Sequence, residues 1–454
     1  MLLDLPPDVF KESVDMLDKA EILALISTSR LTRDMIYQYA LNYIRTIHFG
    51  VTQSRSPNDS SDNNDDNNVI LDAELLGRAQ IALELVFHIL SIENDQSNLL
   101  TTGCVEQVCF VKNGMKMFTR SQNGQIVIIW DLENRSCTQL DAISTLTQLD
   151  GSGHVVVAKK SSSNDNRSSM YDESPCHFTV WDQHGEMLLE TPVDRGSLGC
   201  SYLRTLTVDT NATLTVYADA SPVHPDARFE GQADEILVWN SETGRHEGNV
   251  GIYAPFTRWR SGHARRSDAM IAGGGWVLIS WSETFNDYDD MHYRLTIFSR
   301  NSDLTLTHVE TMSNSHHMET LVMSKDYSEV ATSDAVGHVA IFTIDDDSGA
   351  YDKSFVLRNG PTKDEYDHFE DAYRFDVYVR CLLWENEKLY VGYNKRSSGS
   401  SGIEVWDVPE GSGRCSFARE IHLPDSWGNL NELATDGIFL YCALTNGGLK
   451  PLLL

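Results

Sequence analysis

The sequence is short of positive charge. Against 66 acidic residues it carries 36 Lys and Arg, for a net charge of −30. That balance argues against nucleic acid and anionic membrane as general partners, because both would repel the chain. Long apolar runs are missing too, and none approaches the ~18 residues that a membrane-spanning helix needs. No basic-then-apolar segment opens the chain, so no secretory leader is expected. The cysteines are Cys104, Cys109, Cys137, Cys176, Cys200, Cys381, Cys415 and Cys442. None forms a CxxC and none joins a Cys/His group with zinc spacing, so no metal is expected. Most lie among strand-type residues, as small core residues do, which suits a reducing compartment, cytoplasmic or nuclear. Also absent are a phosphate-cradling GxxxxGK[ST], a GxSxG elbow and an HExxH. His316-His317 has no second ligand motif beside it. Neither a cofactor nor a catalytic activity is expected.

What is present divides into two parts. With 454 residues, 41% hydrophobic, including 9 Trp, 17 Tyr and 16 Phe, the chain can build a substantial core. Its N-terminal part has helical spacing. From Leu5-Pro6, apolar residues follow at Val9, Phe10, Val14 and Leu17, and again at Ile22, Leu23, Leu25 and Ile26. Asp18 with Glu21 approximates a capping box ahead of that second run. Leu31–Phe49 continues helically through Met35, Ile36, Tyr39, Tyr43 and Ile44. Residues 54–68 (SRSPNDSSDNNDDNN) cannot repay the entropy of ordering and read as a flexible linker. Val69–Ile92 returns to helical spacing, although its second half, LELVFHIL, also suits a strand.

The order Leu5-Pro6, Val9, Val14, Leu17-Asp18, Ile22, Leu25 and Ser29-Arg30 resembles an F-box. The resemblance implies docking on a Skp-type adaptor and, through it, a cullin of a ubiquitin ligase. By resemblance the adaptor contacts fall on Leu5, Pro6, Val9, Val14, Leu17, Ile22 and Leu25. The alternative is that these helices simply pack on their own domain.

From about residue 100 the chain becomes short β-type runs separated by Gly, Asn, Asp and Ser. One element recurs: an apolar alternation ending in an aromatic, followed by a polar turn. It appears at Trp130, Trp181, Trp239, Phe298, Phe342 and Trp406, at intervals of 44 to 64 residues. Another strand-like run precedes each copy: MKMFTR, HVVVAK, ATLTVYAD, WVLISWS, EVATSD and KLYVGYN. Self-similarity at this period marks a radial repeat of four-stranded units. Trp130-Asp131, Trp181-Asp182 and Trp406-Asp407 resemble the dipeptide of WD-repeat propellers, and Trp239-Asn240 keeps most of it. The implied fold is mainly β, a seven-bladed WD-like β-propeller preceded by a small all-α F-box domain and a linker helix. The expected boundaries are 1–50 (F-box-like), 51–68 (polar linker), 69–95 (connecting helix) and 96–454 (propeller). The seventh blade is expected to take an N-terminal strand from near Ile47–Phe49 or from within Leu85–Ile92, since a closed ring leaves no such edge unpaired.

Function then falls to the loops. In a WD-type blade the loops after the second strand and those between blades share one face, and here they are long, as in 160–176 and 220–234. The connection IYAPFTRWRSGHARRS carries Arg258, Trp259, Arg260, Arg265 and Arg266 in an otherwise acidic chain. Arginine forks bind phosphate or carboxylate, so these residues are candidates for binding a protein substrate, phosphorylated or not. Pairing with neighbouring acids such as Asp287, Asp289 and Asp290 is the alternative. The acidic-aromatic connection containing Asp364, Glu365, Tyr366 and Phe369 is a candidate for a basic peptide. The function implied is the substrate-recognition subunit of a Skp–cullin–F-box ligase. The alternative is a propeller scaffold outside any ligase.

Overall fold

The computed structural model describes residues 17, 19–54, 73–94 and 99–110. Beyond these it describes every strand named below, with the turns at 132–135, 182–186, 274–275, 324–328, 386–387, 396–400, 423–429, 436–438 and 445–448 and short flanking pieces. Among the described residues three helices come first: α1 (Lys19–Thr28), α2 (Arg30–Ser54) and α3 (Ala73–Glu93). The start of α1 at Lys19 fits the capping pattern read from Asp18 and Glu21, although Asp18 itself lies outside the described residues. LELVFHIL is helical, because Leu83, Val86, Phe87 and Leu90 form one buried stripe.

After the helices the described residues form six sheets of four strands and one of three, all antiparallel and with the strands of each sheet in sequence order. The first strands are Val105–Phe110, Leu146–Asp150, Cys200–Asp209, Ala264–Gly273, Thr320–Met323, Val377–Glu385 and Leu430–Thr435. Each touches the first strand of the next sheet, and Leu430–Thr435 also touches Val105–Phe110. The recurring aromatics Trp130, Trp181, Trp239, Phe298, Phe342 and Trp406 all lie on third strands, and the runs preceding them form the second strands. Trp130 shows why this position recurs. It is fully buried, and its Nε1–H donates to Thr119 Oγ1 on the second strand at 2.8 Å. The following Asp131 accepts from Asn134 N–H at 2.8 Å and so fixes the turn into the fourth strand. Asp182 does the same for His184 and Glu186.

The last sheet differs from the expectation of a shared blade. Both proposed donor segments, Ile47–Phe49 and Leu85–Ile92, are helical, and no fourth strand pairs with Leu449–Leu453 among the described residues. The edge is sealed in other ways. α3 packs against Leu449–Leu453, and Leu449 N–H donates to Leu100 C=O at 3.0 Å. Two residues on, in the same outward register, Pro451 has no N–H to offer. Gly448, with φ +70°, lets Leu100 approach so closely that a Cβ would lie 2.5 Å from its carbonyl carbon. A strand edge of this kind is covered rather than paired.

The helices do not stand apart from the sheets. Ile26, Ile36, Leu41 and Ile44 share one apolar core with Phe87, Trp130, Phe439 and Tyr441. Tyr37 Oη donates to Leu132 C=O at 2.6 Å, and Arg45 meets Glu133 at 2.9 Å. Arg135, at φ 55°, pairs with both Asp34 and Glu93 and lies 4.7 Å over the Tyr37 ring. The contacts of Tyr37, Arg45 and Arg135 fall at the turn from third to fourth strand of the first sheet.

Candidate functional site

The first strand of each sheet begins at the opposite end, beside the turn from second to third strand. At that end the pairing of first with second strand slips in five sheets. The slips lie between Val105 and Gln107, between Ser267 and Ala269, between Val379 and Cys381, between Leu430 and Glu432, and opposite Asp219 in the third sheet. The inserted residues are Glu106, Asp268, Arg380, Asn431 and one of Arg204 and Thr205. An inserted residue leaves the two-sided alternation of its strand, and bulges gather where a side chain is re-aimed. Because the first strands meet one another, the insertions are brought together at one end of the assembly. The sixth sheet shows the packing this requires. Val379 enters the apolar core shared with the fifth sheet, and Cys381, two residues on, enters the core shared with the seventh. Gly392 faces this bulge, where a Cβ would lie 2.5 Å from Cys381 Sγ. Arg380 between them is exposed.

The junction of first, sixth and seventh sheets is the best-defined part of this end. Val108 N–H donates to Glu432 Oε2 at 3.1 Å, and Asn431 Nδ2 donates to Val105 C=O at 2.8 Å. Arg120 Nε lies 3.6 Å from Glu106 Oε2. Burial pushes the Glu432 carboxyl up to about 7, against the opposing pull of the Val108 amide and of Arg120 and Arg380. Burial also lowers the Arg120 guanidinium, while Glu106 and Glu432 hold it charged. The Cys381 and Cys442 thiols are pushed up by burial, so neither is an activated nucleophile. The arrangement offers charge and hydrogen bonds to a partner. It assembles no nucleophile with a base, and no group of three metal-ligating side chains occurs among the described residues.

Of the residues singled out by sequence, Arg265 and Arg266 begin the first strand of the fourth sheet, opposite Glu283 and Ser282 in register. They therefore lie at the same end as the bulges. Arg258, Trp259 and Arg260 lie outside the described residues, as do Leu5, Pro6, Val9 and Val14. So do residues 161–175, 223–234, 252–263 and 359–375. Of the adaptor set, Ile22 is buried at 5% exposure in the helix–sheet core, and Leu17 and Leu25 pack against that core partly buried. The bulged residues were missed by sequence reading, although VEQV and LNEL carry a signal. Each places two apolar residues three apart within a strand, which a period of two forbids unless one residue is inserted.

No family model matches the sequence, and no curated protein matches it. Solved structures do. The β-propeller domain of Myceliophteria thermophila Cps50 (Swd1) is 11% identical with a TM-score of 0.50, over 78% of this chain and 97% of that one. A chain of the Mitotic Checkpoint Complex is 12% identical with a TM-score of 0.48, over 78% and 93%. The WD40 repeats of RRP9 are 11% identical with a TM-score of 0.46, over 75% and 87%. At these identities the likeness concerns the fold: mainly β, a WD-repeat type of propeller, with a few helices preceding it. No helix of the described residues is long and apolar enough to cross a membrane.

Proposed function

We propose that this chain is a non-catalytic protein-interaction scaffold, a closed propeller of seven blades whose bulged, loop-bearing end binds a protein partner. The observation that carries this reading is the repetition of the bulge. Five inner strands insert a residue at the same end, and the inserted residues are charged or polar rather than apolar. Closure of the ring is supported by the contact of Leu430–Thr435 with Val105–Phe110 and by the hydrogen bonds of Asn431 and Glu432 across it. Arg258, Trp259, Arg260, Arg265 and Arg266 are proposed to contribute to the same face. The six described cysteines are free thiols, in keeping with a reducing compartment, cytoplasmic or nuclear.

A narrower reading makes the scaffold a substrate receptor of a Skp–cullin–F-box ligase. Two observations support it: the F-box-like order from Leu5 to Arg30, and the docking of α2 on the turn from third to fourth strand of the first sheet, at the end opposite the bulges. An adaptor and a substrate could then be held at opposite ends, and transfer would rest on proximity supplied to another subunit. In this reading Leu5, Pro6, Val9 and Val14 carry the adaptor contact with Leu17 and Leu25, while the burial of Ile22 limits its share. The test is binding of the full chain to purified Skp adaptor, with Leu5→Ala/Pro6→Ala as control. Saturable binding abolished by the double substitution is the expected result. Absence of binding leaves the scaffold and removes the ligase.

A further inference from the structure

One outer strand edge differs from the rest. An open edge invites pairing with another chain, and proteins blunt such edges with bulges, proline or a covering helix. The fourth strands Met187–Pro192, Arg245–Gly251, Leu306–Asn314, Tyr351–Arg358 and Ser416–His422 all break register against their third strands at the recurring aromatic. The last strand of the seventh sheet carries Pro451 and packs on α3. The first sheet has none of these devices among the described residues. Its fourth strand, Ser136–Asp141, pairs without a slip from Asp131↔Ser136 to Ile126↔Asp141. The first five residues of that strand, Ser-Cys-Thr-Gln-Leu, hold no charge and no proline.

The bonding direction follows from the third strand. Leu132 N–H donates to Met115 C=O at 2.9 Å, toward the second strand. Direction alternates along an antiparallel ladder, so Asp131 and Ile129 bond to their partners Ser136 and Thr138. Cys137 and Gln139 therefore turn their backbone N–H and C=O outward, where no described strand pairs with them. Cys137 packs its side chain against the core shared with the helices. On the opposite face Thr138 meets the second sheet, where a Cβ on Gly185 would lie 2.8 Å from the threonine methyl. Met187 and Leu188 follow within roughly 11 Å of Gly185. They are 57% and 53% exposed. Glu186 and Glu190, on either side of them, are exposed as well. The open edge thus runs beside apolar side chains flanked by carboxylates.

We propose that this edge takes an extended segment of a protein partner as a fifth strand of the first sheet, a segment that alternates apolar with basic residues. Backbone bonds to Cys137 and Gln139 would supply the pairing, and side chains on one face would cover Met187 and Leu188. A second copy of this chain is the disfavoured occupant, because each copy carries a charge of −30. The site lies on the outer rim and is independent of whatever the bulged end binds.

The experiment measures fluorescence anisotropy of three labelled eight-residue peptides on the full chain: alternating Lys/Val, alternating Glu/Val, and the Lys/Val peptide methylated at its interior amide nitrogens. The expected result is binding of the Lys/Val peptide, weakened at least tenfold by methylation and in the Glu/Val peptide. Gln139→Pro removes one outward N–H at an edge, where proline is tolerated, and should weaken binding at least tenfold with an unchanged thermal melt. Met187→Ser/Leu188→Ser, at exposed positions, guards against misfolding of that variant and should weaken binding as well. Phe417→Ala, which removes an exposed apolar side chain from the sixth sheet's outer strand, should leave it unchanged. In hydrogen exchange the bound peptide should slow the Cys137 and Gln139 amides. Equal binding of the methylated peptide would mean attraction to acidic surface alone and would overturn the inference. Unweakened binding by Gln139→Pro, or binding of no peptide, would also overturn it. So would self-association of the wild type that Gln139→Pro abolishes, which would make the occupant a second copy.

Discussion

Glu432 bridges the first and last sheets through a carboxylate that accepts the Val108 amide. Its folded-state value near 7 stands above its ordinary 4.5 because burial disfavours the charge. The folded chain therefore binds this proton more tightly than the unfolded chain. The contribution of Glu432 to stability is greatest below its unfolded value and declines as pH rises from 4.5 through about 7. Glu432→Gln keeps the shape and removes the titration. Relative to wild type, the variant should gain stability between pH 5 and pH 8, read as the difference in urea midpoints at the two values. An unchanged difference would mean that the carboxylate is solvated and carries no penalty.

At the scale of elements, the edge Leu449–Leu453 depends on one close approach. Gly448→Ala places a Cβ against Leu100 in a left-handed conformation that Ala resists, at a cost of roughly 1–3 kcal/mol. Thermal melting should fall, and the Leu449 amide, bonded to Leu100 C=O, should exchange with solvent faster than in wild type. This is also where sequence reading reaches its limit. The second and third strands were legible because their aromatics recur, as at Trp130 and Trp406. The bulge at Arg380 was hidden. Val379, Arg380 and Cys381 look like ordinary alternation, yet Val379 and Cys381 enter different cores. LELVFHIL was ambiguous between helix and strand, since its pattern suits both until Phe439 and Tyr441, distant in sequence, supply the face it covers. The apolar stripes of α1 and α2 were visible, but not which surface fills them.

For the whole molecule, the shared core sets the expectation. Removal of residues 1–94 would uncover the face formed by Trp130, Phe439 and Tyr441, an apolar surface too large to leave wet. The shortened chain should bind a hydrophobic dye and self-associate, as measured by light scattering. If instead it stayed monomeric and melted as the full chain does, the helices would be dispensable to the ring. The charge of −30 has its own consequence at this scale: encounter with acidic proteins should be slow at low salt.

The core that α2 and α3 share with Phe439, Tyr441 and Leu449 also has a bearing on biosynthesis. A ribosome delivers the helices first and the three strands that complete their packing only after six other sheets. During elongation the first sheet can cover only part of the helices' apolar face, and the part that meets Phe439, Tyr441 and Leu449 waits for the last sheet. Non-local closure of this kind is slow and exposes sticky surface while it waits. The nascent chain is therefore a natural client for a holding chaperone until Leu430–Leu453 has emerged, and sealing of the helices against the last sheet is among the last steps by which it matures.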